Sequence, residues 1–340
     1  MLVVALVVGC KARPSLEDVA AESGREFHVP TSVLLAAAYC ESRLDPRPSE
    51  GVTPGWIKLV PWRPARDPRR AAQLLHVDLE DVVENRRGNV RGSAALLAEA
   101  ASAVGLPLDA PATGWRAALE RFEGSGDAQA GAVYAEQVLA VIAKGFRGRD
   151  DGGTPVVLEG AGTEVRASVL QDAARPPDVV GNASAPYWPA ISTAHRPLGD
   201  TPRAIKYIVI HVTENSFATI FRFFRAANTK VASHYLIRSY DGLTIQMVDE
   251  RLVAFHDACF NEESIGIEHE GFVHAGKRWF SDEMYRASAK LVRDIATRHG
   301  IPLDRSHILG HGETADCSSH TDPGPDWDWD KLMRFIAEAR

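Results

Sequence analysis

Several things are scarce in this chain, and each scarcity removes a class of function. Its four cysteines, at 10, 40, 259 and 317, are too few to build a disulfide scaffold in 340 residues. Positive charge is in deficit: 38 Lys and Arg face 45 Asp and Glu, and the net charge of -7 offers nucleic acid no cationic field. Long apolar runs are missing as well. The apolar stretch from Met1 to Cys10 falls well short of the about 20 residues needed to cross a bilayer. The remaining composition, 45% hydrophobic and 24% charged, is that of an ordinary globular protein, and the length suffices for two domains with separate cores. Histidine is the residue used unevenly. Nine of the twelve lie at or beyond His211, which points to chemistry in the second half.

Residues 1–10 read Met-Leu-Val-Val-Ala-Leu-Val-Val-Gly-Cys10 and lack the positive n-region of a signal peptide. Val-Val-Gly-Cys nevertheless resembles a bacterial lipobox, which implies export, a lipidated Cys10 that anchors the chain to a membrane, and a place in the cell envelope, periplasmic or extracellular. Residues 11–146 read as a helical domain. Ser15-Leu-Glu-Asp supplies a cap and an acidic first turn, and residues 30–42, 89–100 and 128–142 carry helical periodicity. Residues 46–70, rich in Pro, Arg and Gly, read as loop.

The order of these segments resembles the lysozyme-like transglycosylase domain. Glu41-Ser42 matches that domain's catalytic Glu and following Ser. Gly55-Trp-Ile-Lys-Leu-Val-Pro61 matches its Gly-aromatic segment, and Asn89 and Tyr134 match the Asn-led and Tyr-bearing helices. The usual Gly-Leu-Met-Gln is replaced by Gly-Trp-Ile-Lys58, which removes a glutamine from the expected cleft wall. The resemblance implies an all-α lysozyme-like fold with Glu41 as a candidate second site. A general acid there needs an apolar pocket to hold its proton; the alternative is a helix-end carboxylate facing solvent. Glycan binding by a degenerate cleft is the expectation, with glycan cleavage as the other reading.

Residues 147–184 turn to Gly, Asp, Pro and Ala and read mostly as a linker that keeps the two halves apart, with short strand structure expected at Val156-Val-Leu and Val165. From residue 185 onward strands are expected at 205–211, 234–239, 244–249, 264–269 and 307–309, with Asp241-Gly242 as a hairpin turn. Helices are expected at 217–227, 282–299 and 329–339, capped by Ser281 and Asp328 and stopped at Gly300. The alternation implies an α/β domain around one mixed central sheet, flanked by helices.

The chemistry gathers in Ile308-Leu-Gly-His311-Gly-Glu-Thr-Ala-Asp-Cys317-Ser-Ser-His320-Thr-Asp322-Pro-Gly-Pro. Imidazole and carboxylate suit zinc, and a catalytic zinc takes three protein ligands and leaves one position for water. The loop can bring two; His211 ends the apolar strand 205–211, where a polar residue is costly without a function. Glu268 closes Ser-Ile-Gly-Ile-Glu in the same way. Cys317 and His320 compete as ligands, and Cys259 with Cys317 is a candidate disulfide.

Ile208-Val-Ile-His-Val-Thr, Ser233-His-Tyr-Leu-Ile, Ala254-Phe-His256, Ser264-Ile-Gly-Ile-Glu268, Gly310-His311 and Thr321-Asp-Pro-Gly-Pro-Asp-Trp occur in this order over residues 185–340. Together they resemble the type-2 zinc N-acetylmuramoyl-L-alanine amidases, relatives of peptidoglycan recognition proteins. The resemblance implies His211, His311 and Asp322 as zinc ligands, Glu268 as the general base, and His320 in place of the family's basic group. It implies that His234 and His256 line the substrate groove. The implied reaction is hydrolysis of the amide between N-acetylmuramic acid and L-alanine, by a monomer whose partner is peptidoglycan or its muropeptides. The other readings are a non-catalytic muropeptide-binding protein and a bifunctional amidase and lytic transglycosylase.

Overall fold

The computed structural model describes residues 14–47, 54–162, 170, 175–199, 203–314 and 319–339. The expectations for Cys10, Val165 and Cys317 fall outside them. Among the described residues of the first half there are seven α-helices: α1 (Leu16–Phe27), α2 (Thr31–Ser42), α3 (Pro68–Leu75), α4 (Leu79–Glu84), α5 (Arg86–Ala103), α6 (Arg116–Glu123) and α7 (Ala128–Lys144). Ser15 and Asp18 cap α1 reciprocally. Helix α2 buries Val33 to Ala38 and Cys40 on every side, as a helix at the centre of a bundle must.

Two boundaries differ from expectation. Helix α5 starts at the Asn85 cap, one turn before Asn89. Asn89 instead uses its amide to hold both backbone groups of Ile57, at 3.1 and 3.2 Å. Helix α3 begins inside the stretch read as loop, because Pro68 occupies a first-turn position, where its missing N–H costs nothing.

The stretch read as linker also carries structure. Strands β1 (Gly145–Arg149) and β2 (Pro155–Glu159) form an antiparallel hairpin. Buried Arg86 ties the hairpin turn to the helices through Asp150 at 2.9 Å and through Asp151. The expectation of two halves held apart is corrected here. Helix α7 packs on α8 (Phe217–Arg225), and one hydrophobic cluster runs from the helical half through Phe217, Phe221 and Leu236. Buried polar groups cross the same interface, Gln137 donating to Glu270 at 2.9 Å and Arg238 meeting Glu136 at 3.3 Å, and at its exposed edge Arg278 donates to the carbonyl of Arg149 at 2.6 Å. Linker composition says nothing of such long-range packing.

The second half is an α/β domain. Its remaining strands are β3 (His195–Arg196), β4 (Tyr207–Val212), β5 (Tyr235–Ile237), β6 (Thr244–Gln246), β7 (Val253–Ala254), β8 (Ser264–His269) and β9 (Ile308–Gly310). Five of them form a mixed sheet in the order β6-β5-β8-β4-β9, with only the β5–β6 pair antiparallel. Short α9 (Gly276–Trp279) precedes α10 (Asp282–His299), and α11 (Trp329–Glu338) closes the chain. Strand alternation sorts the faces. Ile208, Ile210, Ile265 and Ile267 share a core with Leu291, Val292 and Ile295 of α10 and Leu332 and Phe335 of α11. His211 and Glu268 fall on the opposite phase, facing the α8 side.

Candidate active site

His211 and Glu268 are paired in register across β4 and β8, and His311 follows directly on β9. All three sit at the carboxyl ends of parallel strands, where α/β sheets usually bind ligands. The loop after His311 returns Asp322 over the end of β4, where its Oδ2 accepts the Val212 N–H at 3.2 Å. His211, His311 and Asp322 are all buried and each offers a ligand atom, the three lying within 4.8 Å of one another. His211 Nδ1 lies 3.1 Å from His311 Nδ1, and Asp322 Oδ1 is 3.2 Å from the latter. Two imidazoles and one carboxylate fit a zinc ion in number and in softness.

The far sides of both imidazoles are held. His211 Nε2 meets His256 Nδ1 at 3.0 Å, and His256 Nε2 faces the Ser264 hydroxyl at 3.3 Å. His311 Nε2 lies 3.8 Å from Asp257, which accepts from Thr314 at 3.2 Å. Such outer partners fix ring orientation in metal sites. Gly266 makes room for the first contact: a Cβ there would meet the His256 ring at 2.5 Å.

The electrostatics divide the site. Burial lowers the pKa of His211, which favours the neutral imidazole that a metal needs. Burial pushes Asp322 up, but hydrogen bonds and charge from His211 and His311 outweigh it and hold the carboxyl below its usual range. Glu268 goes the other way. Burial, then the charges of Asp322 and Glu214, raise it well above an ordinary carboxyl, and its Oε2 has no hydrogen-bond partner.

These groups line a cleft of about 560 Å³ whose other wall is apolar, with Ile220, Phe223, Phe224 and Val231. His320 lines it too, exposed and stacked on His311 at 4.4 Å, its Nδ1 3.8 Å from Asp322. His256 lies in the cleft as expected, whereas His234 does not. It is fully buried beside His256, their ring centroids 5.6 Å apart, with its Nδ1 accepting the Gly266 N–H at 3.1 Å and its Nε2 facing Arg203 at 3.1 Å. Cys259 is disulfide-bonded, and Cys40 is free and buried. Sequence reasoning missed Asp257 and Glu214. The first adjoins His256; the second follows His211 by three residues and sits at a positive φ of 49°.

Glu41 is separate from this cleft and only 2% exposed. Its Oε1 is engaged by Arg66 and by the Tyr134 hydroxyl at 2.6 Å, and its Oε2 accepts the Lys58 N–H at 2.7 Å.

Residues 201–325 match the family model described as N-acetylmuramoyl-L-alanine amidase. N-acetylmuramoyl-L-alanine amidase A of Achromobacter lyticus is 31% identical over 145 residues, which cover 38% of this chain and 81% of that protein. The chain belongs to the N-acetylmuramoyl-L-alanine amidase family. A second member, the 1,6-anhydro-N-acetylmuramyl-L-alanine amidase AmpD of Citrobacter freundii, is 31% identical over 122 residues, covering 33% of this chain and 61% of its own length. The crystal structure of an AmpD derivative aligns at 24% identity over 46% of this chain and 96% of that one, with a TM-score of 0.38. The matched residues of this amidase include His211, Glu268, His311 and Asp322 and exclude the helical half. Membership makes the protein an enzyme, an amide hydrolase acting on peptidoglycan.

Proposed function

We propose that the chain is a zinc-dependent amidase that cuts the bond between N-acetylmuramic acid and L-alanine, and that its helical half binds the wall rather than cutting glycan. One observation carries the first part: three buried metal-type donors converge beside an unpartnered Glu268 oxygen at the floor of one cleft. A zinc ion held by His211, His311 and Asp322 would polarise the scissile carbonyl and acidify the attacking water. Glu268 takes the proton of that water and delivers it to the nitrogen of the leaving L-alanine. His320, at the open edge, donates to the carbonyl oxygen as negative charge develops there. His256 and Asp257 hold the two imidazoles in orientation. The apolar wall at Phe223 and Val231 supports binding of the lactyl and methyl groups beside the amide.

For the helical half, the engagement of both Glu41 oxygens argues for binding, since a general acid needs a proton to give and an open face. Peptidoglycan as substrate supports a place in the cell envelope. Mass spectrometry of products from purified peptidoglycan tests the whole reading. Release of stem peptides with a free L-alanine amine, from glycan left uncut, is expected. Anhydro-sugars or new reducing ends would contradict the binding role, and no released peptide would contradict the amidase.

A further inference from the structure

Helix α8 walls two cavities. Ile220, Phe223 and Phe224 face the metal cleft, while Ser216, Thr219 and Arg222, spaced by three, line a small cavity of about 80 Å³ against the helical half. The opposite side of that cavity is Glu41, Lys58, Trp62, Arg63 and Arg66. The two cavities thus share as a wall one nine-residue helix, about 13 Å long.

The charges in this cavity do not balance. The guanidinium groups of Arg63, Arg66 and Arg222 face two carboxylates: Glu41, paired with Arg66, and Glu123, 2.9 Å from Arg63. Arg222 forms no ion pair among the described residues. The Nε–H groups of Arg63, Arg66 and Arg222 are buried without an acceptor, and Arg63 and Arg66 are 6% and 3% exposed. Burial, followed by the charges of Arg66 and Arg222, brings Arg63 down to about 10. Uncompensated charge with unused donors in a half-closed space is costly unless an anion fills it. Guanidinium groups suit a planar carboxylate. Trp62, 66% exposed at the rim, offers an apolar face to the rest of such a ligand.

We propose that this cavity is a carboxylate-binding subsite for the peptide-bearing wall polymer, so that one substrate strand spans the metal cleft and the helical half. The inference rests on peptidoglycan being the substrate. It gives the helical half a defined role, which is to hold an acidic group of the wall while the amide is cut across α8.

The test uses the full chain carrying Glu268→Gln, so that binding is read without turnover. The probe is insoluble peptidoglycan stripped of phosphate polymers, either native or with its carboxylates converted to amides by carbodiimide and ammonia. Co-sedimentation gives the Kd. Adding Arg222→Gln is expected to weaken binding to native wall about tenfold, the usual worth of a hydrogen bond to a charged group, and to leave binding to amidated wall unchanged. Thr219→Glu puts a carboxylate into the cavity; it is expected to weaken native-wall binding at least as much while holding or raising the Tm. Unchanged native-wall affinity in both variants overturns the proposal. So does an equal loss on native and amidated wall, which would assign Arg222 to sugar contacts or to the fold. Hydrolysis is read separately with the parent chain. A parent chain that releases no peptide yet binds wall through carboxylates and Arg222 refutes the amidase and leaves the subsite standing.

Discussion

Replacing Glu268 with Gln keeps the shape of the side chain and removes its ability to accept a proton. The Glu268 Oε2 lies in the cleft without a hydrogen-bond partner, so the amide breaks no internal bond there. The loss should therefore appear in kcat, by about 10²–10⁴, which is about 3–5 kcal/mol of transition-state stabilisation. Zinc content should be unchanged, because the donor cluster does not include Glu268. Stability adds a second readout. Burial and the charges of Asp322 and Glu214 raise the folded pKa of Glu268. Its contribution to stability is therefore fully present below its unfolded pKa of about 4.5 and falls as pH rises toward the folded value. A neutral amide avoids that loss, so the metal-free variant should melt at or above the parent's Tm at pH 7. The assay is peptide release from purified wall, with zinc by atomic absorption and Tm by calorimetry on the same samples. A variant that keeps parental kcat, or loses zinc, refutes the role of Glu268 as base.

His320→Ala should keep zinc and lower kcat by a similar or smaller factor, and His320→Lys should restore part of it, since a lysine N–H can replace the imidazole N–H as donor to the developing oxyanion. Loss of zinc in His320→Ala would make His320 a ligand. Glu250 predicts acid lability: burial pushes its pKa up, but Arg298, His299 and Tyr235 bring it down to about 2. Its stabilisation, about 3 kcal/mol, is present above its unfolded pKa and is lost as pH falls from about 4.5 toward 2. Denaturant titrations at pH 6 and pH 3 should show a smaller difference for Glu250→Gln than for the parent; an equal difference would refute the assignment.

The site was legible in the sequence to the extent that polar residues interrupt apolar strands. His211 and Glu268 break the runs of β4 and β8 at positions that pair in register, so one strand argument located both. His311 and Asp322 lie in a Gly- and Pro-rich loop, where residue type, aided by the resemblance, pointed to ligands. His234 was pointed to by the resemblance alone, and it does not line the cleft. Its ring accepts the Gly266 N–H and faces Arg203, a partner 31 residues away that periodicity does not reveal. The packing of the two halves was equally invisible. Glu270 follows β8 like an ordinary loop acid, yet it accepts from Gln137 across 133 residues of chain. The basic cavity depends on that packing and has no local signature.

The most direct test of the central claim is zinc content measured beside peptide release for the parent and for Asp322→Ala. The account predicts about one zinc per parent chain, as a three-ligand catalytic site requires, and loss of metal and of activity together in the variant. Chelation of the parent should abolish release, and added zinc should restore it. An Asp322→Ala chain that retains full zinc, or a zinc-free parent that still frees L-alanine amines, would contradict it.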